Sequence, residues 1–332
     1  MRLVIYCLGM IWLGCQSGAL TSAKKYIRAG ENEKADQKLA EALLAAPQNP
    51  EIHFLKGKVA ALQGEYINMN SAFKKARGLS SDYDREIDQL RHKYWAREYN
   101  QGAAMVTAEK PELQAAGQFF RRAIAIDPDP LETWRKLAYV LYHQDSLEVA
   151  TQAYEHIIAR DHNDSSALAN LGSLYLDQKH YQEAVQVFTK IVELNPAQLD
   201  AYINLGVAYE NLEQFSAARK VYLQVVSLDP KLTEGYYNLG TLYWNQQEYE
   251  KAIDAYKMAV ELSPDDNNVL YSLAVSHLSI EDWDAALPLL EALAERMQDN
   301  PLIWNELGRI YALKGWLEQS KEAYEEARRL TP

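Results

Sequence analysis

The sequence predicts an all-α fold, a solenoid of about nine helix-turn-helix units, and three observations carry that expectation. Gly172, Gly206, Gly240 and Gly308 stand at multiples of 34 residues, each preceded by Leu (Leu171, Leu205, Leu239, Leu307) and followed three residues on by Tyr (Tyr175, Tyr209, Tyr243, Tyr311). The same register continues through Ala184, Ala218, Ala252 and Ala286, then Phe188, Tyr222, Tyr256 and Tyr324, then Pro196, Pro230, Pro264 and Pro332. Self-similarity at such a period marks a repeat architecture in which each unit buries its apolar faces on its neighbours. The composition agrees: 48% hydrophobic, 24% charged, with 15 Gly and 11 Pro, suits an ordered packed chain and excludes collagen-like or disordered classes.

The N-terminal segment differs from the rest. Met1-Arg2 is followed by an apolar run, Leu3 to Leu13, and by Gly14-Cys15. Eleven residues make about 16 Å of helix, too short for a hydrocarbon core of about 30 Å, so the pattern is that of a signal peptide over residues 1–14. Leu13-Gly14-Cys15 resembles the lipobox of bacterial lipoproteins, which implies cleavage before a lipidated Cys15. Trp12 departs from that pattern. Cys7 and Cys15 are the only cysteines, so the body of the chain holds no disulfide or thiolate metal site. Within the lipoprotein class Gln16 implies delivery to a bacterial outer membrane, facing the periplasm; a soluble periplasmic protein is the alternative.

The first two units fall in 15–83. The one from Gln16 carries Tyr26, Ala35, Leu39, Ala42 and Pro47, and the one from Pro50 carries Gly57, Gly64, Tyr66, Phe73 and Ala76. The third, 84–130, has a regular second half (Ala116, Phe120, Ala123, Ile126, Pro128) but 13 extra residues before it. Its first helix is expected from about Asp82 to Thr107, with Tyr83, Ile87, Leu90, Tyr94 and Trp95 on one face. That arm, bearing Arg85, Arg91, His92, Lys93 and Arg97, either braces its neighbours or docks a partner. Six units in register fill 131–332, starting at Leu131, Ser165, Leu199, Thr233, Asn267 and Pro301. Arg77 stands where the other units place an aliphatic residue, suggesting a shallow hinge near 78–84; Arg328, at the same position, reads as the polar face of a terminal unit. Pro288 should bend the second helix of the eighth unit.

This pattern, Leu-Gly, Tyr, Ala, Phe or Tyr, Ala, Pro, resembles the tetratricopeptide repeat. The resemblance covers residues 16–332 and implies paired antiparallel helices wound into a right-handed superhelix. The packing logic is consistent. Small Gly at position eight lets the two helices of a unit approach, bulky residues at four, seven, eleven and twenty-four interlock with small ones, and Pro at thirty-two stops the second helix.

No HExxH, GxSxG, GxGxxG, phosphate-loop or CxxC pattern occurs, and the seven histidines are scattered, so no catalytic residue, metal site or cofactor is assigned. Asp161-His162-Asn163-Asp164 lacks the Gly and Glu of a calcium loop, and Asp265-Asp266, Asp282 and Asp284 suit helix starts. The family resemblance implies a peptide groove lined by the first helix of each unit. The positions concerned are Arg135, Lys136, Tyr139, Tyr142 and His143, then Asn170, Asn204 and Asn238 at a recurring sixth position, then Tyr237, Trp244 and Tyr271. Such amides could hydrogen-bond an extended peptide backbone. Position nine is never Asn, which lacks the carboxylate-clamp pattern of chaperone-tail receptors.

The expected function is therefore a non-catalytic protein-interaction scaffold, an outer-membrane lipoprotein serving an envelope machine for pili, secretion, outer-membrane assembly or polysaccharide export. The alternative is a soluble periplasmic chaperone or recognition subunit that presents a peptide to a separate enzyme. No small-molecule substrate is expected. The net charge of −12 argues against nucleic acid. Acidity is concentrated downstream: residues 16–130 carry 17 basic and 15 acidic side chains, residues 131–332 carry 16 and 31, so a basic partner is favoured there.

Overall fold

The computed structural model describes residues 18–331, which are helical throughout apart from short turns and contain no strand among the described residues. The leader and Cys15 lie outside the described residues. Two compact units divide between His162 and Asn163, at the junction of the fourth and fifth repeats.

The first unit holds a helix over 18–29 (α1), α2 (Asn32–Ala45), α3 (Pro50–Gln63), α4 (Tyr66–Leu79), a short 3-10 turn at Ser81–Tyr83, α5 (Asp84–Thr107), α6 (Leu113–Ile126), α7 (Leu131–Tyr142) and α8 (Leu147–Arg160). One core runs from Ala23 through Leu39, Ile52, Phe73 and Ile87 to Ile126. It is continuous across 78–84, where Phe54 stacks on both Phe73 (6.0 Å) and Tyr83 (4.8 Å). Arg77 is accounted for locally: it pairs with Asp88 and donates to the Asp84 carbonyl (3.2 Å).

The second unit continues the alternation with α9 (Ser165–Asp177), α10 (Tyr181–Leu194), α11 (Leu199–Asn211), α12 (Phe215–Leu228), α13 (Thr233–Asn245), α14 (Tyr249–Leu262), α15 (Asn267–Ser279), α16 (Trp283–Arg296), α17 (Pro301–Leu313) and α18 (Leu317–Leu330). Odd-numbered helices are the first of each pair. α16 runs unbroken through Pro288, whose ring lies exposed.

The position-eight glycine works by close approach. A Cβ built on Gly206 would lie 2.3 Å from the Tyr222 ring, and one on Gly57 2.4 Å from Phe73. Sixteen residues separate these partners, whereas Gly102 meets Phe120 across eighteen, so two of the thirteen extra residues of the third repeat enlarge its turn and the rest extend the start of α5. Between the paired helices the chain closes through a six-to-one backbone bond, as from Gln214 N–H to Tyr209 O (2.9 Å) and from Glu248 N–H to Tyr243 O (2.9 Å). The closure needs a left-handed residue at position fifteen. Gly30, Gly64 and Gly315 supply it in the outer repeats, but Asp145, Lys179, Glu213, Gln247 and Glu281 adopt φ of 57–61° in the inner ones.

Polar groups fix the joins. Asp164, Asp266 and Asp282 accept from the first free amides of α9, α15 and α16 (Ala167 N–H 3.0 Å, Asn268 N–H 2.9 Å, Ala285 N–H 3.2 Å). Trp134 and Trp304, both at position four, donate their indole N–H to the carbonyls of Pro128 (2.9 Å) and Gln298 (3.0 Å), tying a first helix to the turn before it. Arg160 and Arg296, both at position thirty, reach the turn of their own repeat's predecessor, Arg160 at Asp129 (2.8 Å) and Arg296 at the Pro264 carbonyl (3.0 Å).

Candidate functional site

Two surfaces competed in the sequence, the long arm and the first-helix face. On α5 the polar groups that face neighbouring helices are bound within the fold, whereas Arg85 and Lys93 lie exposed with no hydrogen bond or ion pair to another described residue. Arg91 donates to the Ile126 carbonyl (3.1 Å) and to Asp127 (3.3 Å), satisfying the C-terminal end of α6. Trp95 donates to Thr133 (3.1 Å) and Tyr99 to Glu132 (3.1 Å), both on α7. Glu98, 2% exposed, accepts from the Tyr66 hydroxyl (2.6 Å) and from Arg97 (2.7 Å), and burial together with Glu98 pushes the Tyr66 hydroxyl up to about 12. The arm ties α4, α6 and α7 together.

The first-helix positions separate into two sets. On α7, in the first unit, Arg135 and Lys136 both face Glu132 (3.4 and 4.0 Å). Tyr139 and Tyr142, both exposed, flank His143 at ring distances of 4.3 and 5.4 Å. This is an exposed aromatic and basic patch on one helix.

In the second unit the amides differ among themselves. Asn170 is exposed and donates to the Ser166 carbonyl of its own helix (2.9 Å), a local bond that ties its amide to α9. Asn204 and Asn238 are half-buried and make no side-chain hydrogen bond to another described residue. Tyr237, Trp244 and Tyr271 come together: with Thr241, Asn245 and Tyr256 they line a cleft of about 230 Å³ between α13 and α15, floored by α14. Tyr256 is held from below by a 3.0 Å bond with Thr241 and lies 5.8 Å from the Tyr237 ring. Trp244 stands at the mouth, 37% exposed.

Next to this cleft is Glu210 of α11. It accepts from the Tyr222 hydroxyl (2.6 Å) and from the Asn245 side chain, and burial raises its carboxyl above the ordinary value despite both bonds. Its ionised form is therefore costly in the free protein. The same burial, and the carboxylate itself, push the Tyr222 hydroxyl up strongly. The cleft floor escaped the sequence reading because Tyr256 belongs to the second-helix packing code, and only the fold shows its ring also facing the first helices. A compositional signal was available: the first helices of repeats five to eight hold Asp177, Asp200, Glu210 and Glu234 and no Lys or Arg. Among the described residues no three His, Cys, Asp or Glu side chains converge in a way that could hold a metal ion, and no helix is long and apolar enough to cross a membrane.

The geometry is that of a helical repeat protein, and comparison with known proteins identifies which. Profiles of the tetratricopeptide repeat match residues 20–66 and 271–332, 153–186, 175–239 and 233–266. The chain belongs to the tetratricopeptide repeat family. The longest unmatched stretch, 67–152, contains the elongated α5 and its partners.

Among solved structures, a tetratricopeptide repeat protein from Parabacteroides merdae superposes with a TM-score of 0.55 at 15% identity, covering 72% of this chain and 93% of that one. MamA matches at 23% identity and TM-score 0.47 over 51% of this chain and 92% of its own. YrrB, described as a TPR protein with an unusual peptide-binding site, matches at 19% and 0.49 over 58% and 97%. The first of these likenesses establishes a shared fold. No curated protein matches the chain.

Proposed function

We propose that this chain is a non-catalytic scaffold that holds an extended segment of a partner protein against the first helices of the second unit. The observation that carries the reading is the state of the polar groups there. Asn204 of α11 and Asn238 of α13 present half-buried, uncommitted amides on the first helices, and Tyr237, Trp244 and Tyr271 line an aromatic cleft between α13 and α15. An amide can donate to and accept from a peptide backbone at little further entropic cost when it is already half-buried. The finer reading places the protein on a bacterial outer membrane through a lipidated Cys15, facing the periplasm as part of an envelope assembly. The Leu13-Gly14-Cys15 sequence supports it.

Two measurements test the two halves. Partners captured by the full chain and by the Asn204→Ala/Asn238→Ala double variant should include at least one whose recovery falls about tenfold, the equivalent of two modest hydrogen bonds. A partner set indifferent to both changes overturns the face. Radiolabelled fatty acid should label the wild type and not Cys15→Ser, and globomycin should block processing; an unlabelled wild-type protein released on lysis overturns the anchor and leaves the scaffold reading standing.

A further inference from the structure

The cleft and the carboxylate beside it say more about the bound segment than its backbone. The cleft is lined by the Trp244, Tyr237 and Tyr271 rings together with Val275 and the polar Thr241, Ser272 and Asn245, and the Asn245 side chain also bonds Glu210. Tyr256 lines the same cleft and lies in the field of that carboxylate. Rings and a half-buried anion therefore adjoin, and the four first helices around them carry acids but no Lys or Arg. Those helices offer no Lys or Arg as a counter-charge.

We propose that this cleft is a subsite for a cationic side chain, Arg or Lys, carried by the bound segment, with the cation over the Trp244 and Tyr271 rings and its charge met by Glu210. The inference rests on the scaffold reading and narrows it to basic segments. Three physical points favour a cation over an apolar side chain of similar length. Aromatic faces attract cations through their quadrupole, more so where water is partly excluded. The anion beside them is partly desolvated and hydrogen-bonded only by neutral donors, Tyr222 and Asn245, so an arriving cation offsets a cost already present in the free protein. Finally, the chain uses the same arrangement internally. Arg219 lies 5.4 Å from the Tyr243 ring and 3.3 Å from Glu248, and Arg309 lies 5.1 Å from the Trp283 ring while paired with Glu306 (2.6 Å). In each of those places an Arg of the chain fills a ring-and-carboxylate site. At Trp244 and Glu210 no Lys or Arg of the four first helices does so.

The test uses the full chain and four capped Gly-Ser decapeptides that differ at one central residue, Arg, Lys, Leu or Glu, titrated by calorimetry at about 50 mM and about 200 mM salt. The Arg and Lys peptides should bind about fivefold tighter than the Leu peptide at low salt, the Glu peptide weakest, and the preference should shrink at high salt. Glu210→Gln should erase the preference for Arg over Leu, and Trp244→Ala should weaken the Arg peptide about tenfold. Circular dichroism melts check that both variants fold. If Glu210→Gln proves unstable, Trp244→Ala, a change at a ring more than a third exposed, carries the comparison alone. A Leu peptide that binds as well as Arg, and is lost on Trp244→Ala, overturns the cation subsite and leaves the scaffold face intact. Failure of all four peptides to bind, or binding indifferent to both Trp244→Ala and Asn238→Ala, overturns both.

Discussion

Helix α5 of the first unit and helices α11 and α13 of the second are both rich in polar and aromatic side chains, yet they do different work. On α5 the side chains that face neighbouring helices find partners within the fold, Arg91 at the end of α6, Tyr99 at Glu132, and Arg97, with Tyr66 of α4, at Glu98, while Arg85 and Lys93 stay exposed without a partner among the described residues. On α11 and α13 the amides of Asn204 and Asn238 find none among the described residues, and Glu210 is met only by neutral donors. The lesson is that composition does not distinguish a brace from a binding face. What distinguishes them is whether the hydrogen-bonding capacity of the side chains has already been met, since a face with capacity left over gains by acquiring a partner.

The largest effect expected from a single substitution concerns the device that both units share. A methyl at Gly206 would fall 2.3 Å from the Tyr222 ring, and at Gly102 2.9 Å from the Phe120 ring. Gly206→Ala should cost about 2 kcal/mol even though Ala favours a helix by about 1 kcal/mol over Gly, because a fully buried ring must move. Gly102→Ala should cost clearly less, since its methyl would meet the Phe120 ring at 2.9 Å, a smaller overlap for the ring to relieve. Midpoints of urea unfolding for the two variants check this. Equal losses would show that the elongated repeat packs as tightly as the regular ones.

A smaller effect separates brace from face directly. Arg91→Ala leaves the Ile126 carbonyl without its charged donor and should cost about 1 kcal/mol, a partly exposed charge-assisted bond, while leaving peptide binding unchanged. Trp244→Ala should do the reverse, with stability within about 0.5 kcal/mol of wild type and binding of the Arg peptide weakened about tenfold. If Arg91→Ala also weakened binding, the arm would belong to the recognition surface and the contrast would collapse.

The same contrast explains what the sequence could and could not show. The helix pairs were legible because packing fixes distances along the chain. Gly at position eight and an aromatic at twenty-four must meet, so Gly172 with Phe188 and Gly206 with Tyr222 announce themselves. The length of α5 was legible within two residues for a similar reason, the spacing of Ile87 and Tyr94 on one face. The destination of a charge was not. Nothing local to Arg91 says that its guanidinium reaches a carbonyl 35 residues away, and nothing local to Tyr256 says that its ring floors a cleft. The Asn170 position looked equivalent to Asn204 and Asn238, but its amide turns back on its own helix, an option every exposed helical Asn has.

The turn residue at position fifteen was also hidden, and it supports the smallest prediction. Only three outer repeats place Gly there, so no pattern declared itself, yet eight repeats share the left-handed conformation. Space is open around Gly30, Gly64 and Gly315, since an added Cβ would meet nothing within 4 Å, so any difference between Gly and another residue at this position belongs to the backbone and not to contacts. A non-glycine residue in that conformation costs about 1 kcal/mol, and Gly returns part of the gain through the greater freedom of its unfolded chain. Lys179→Gly should therefore stabilise the second unit by about 0.5 kcal/mol, and Gly64→Ala should destabilise the first by about 1 kcal/mol. Thermal melts of the two variants check the signs. A loss of stability in Lys179→Gly would mean that the Lys179 side chain makes a favourable contribution at the turn, and the inner repeats would then differ from the outer ones by more than tolerance of a strained backbone.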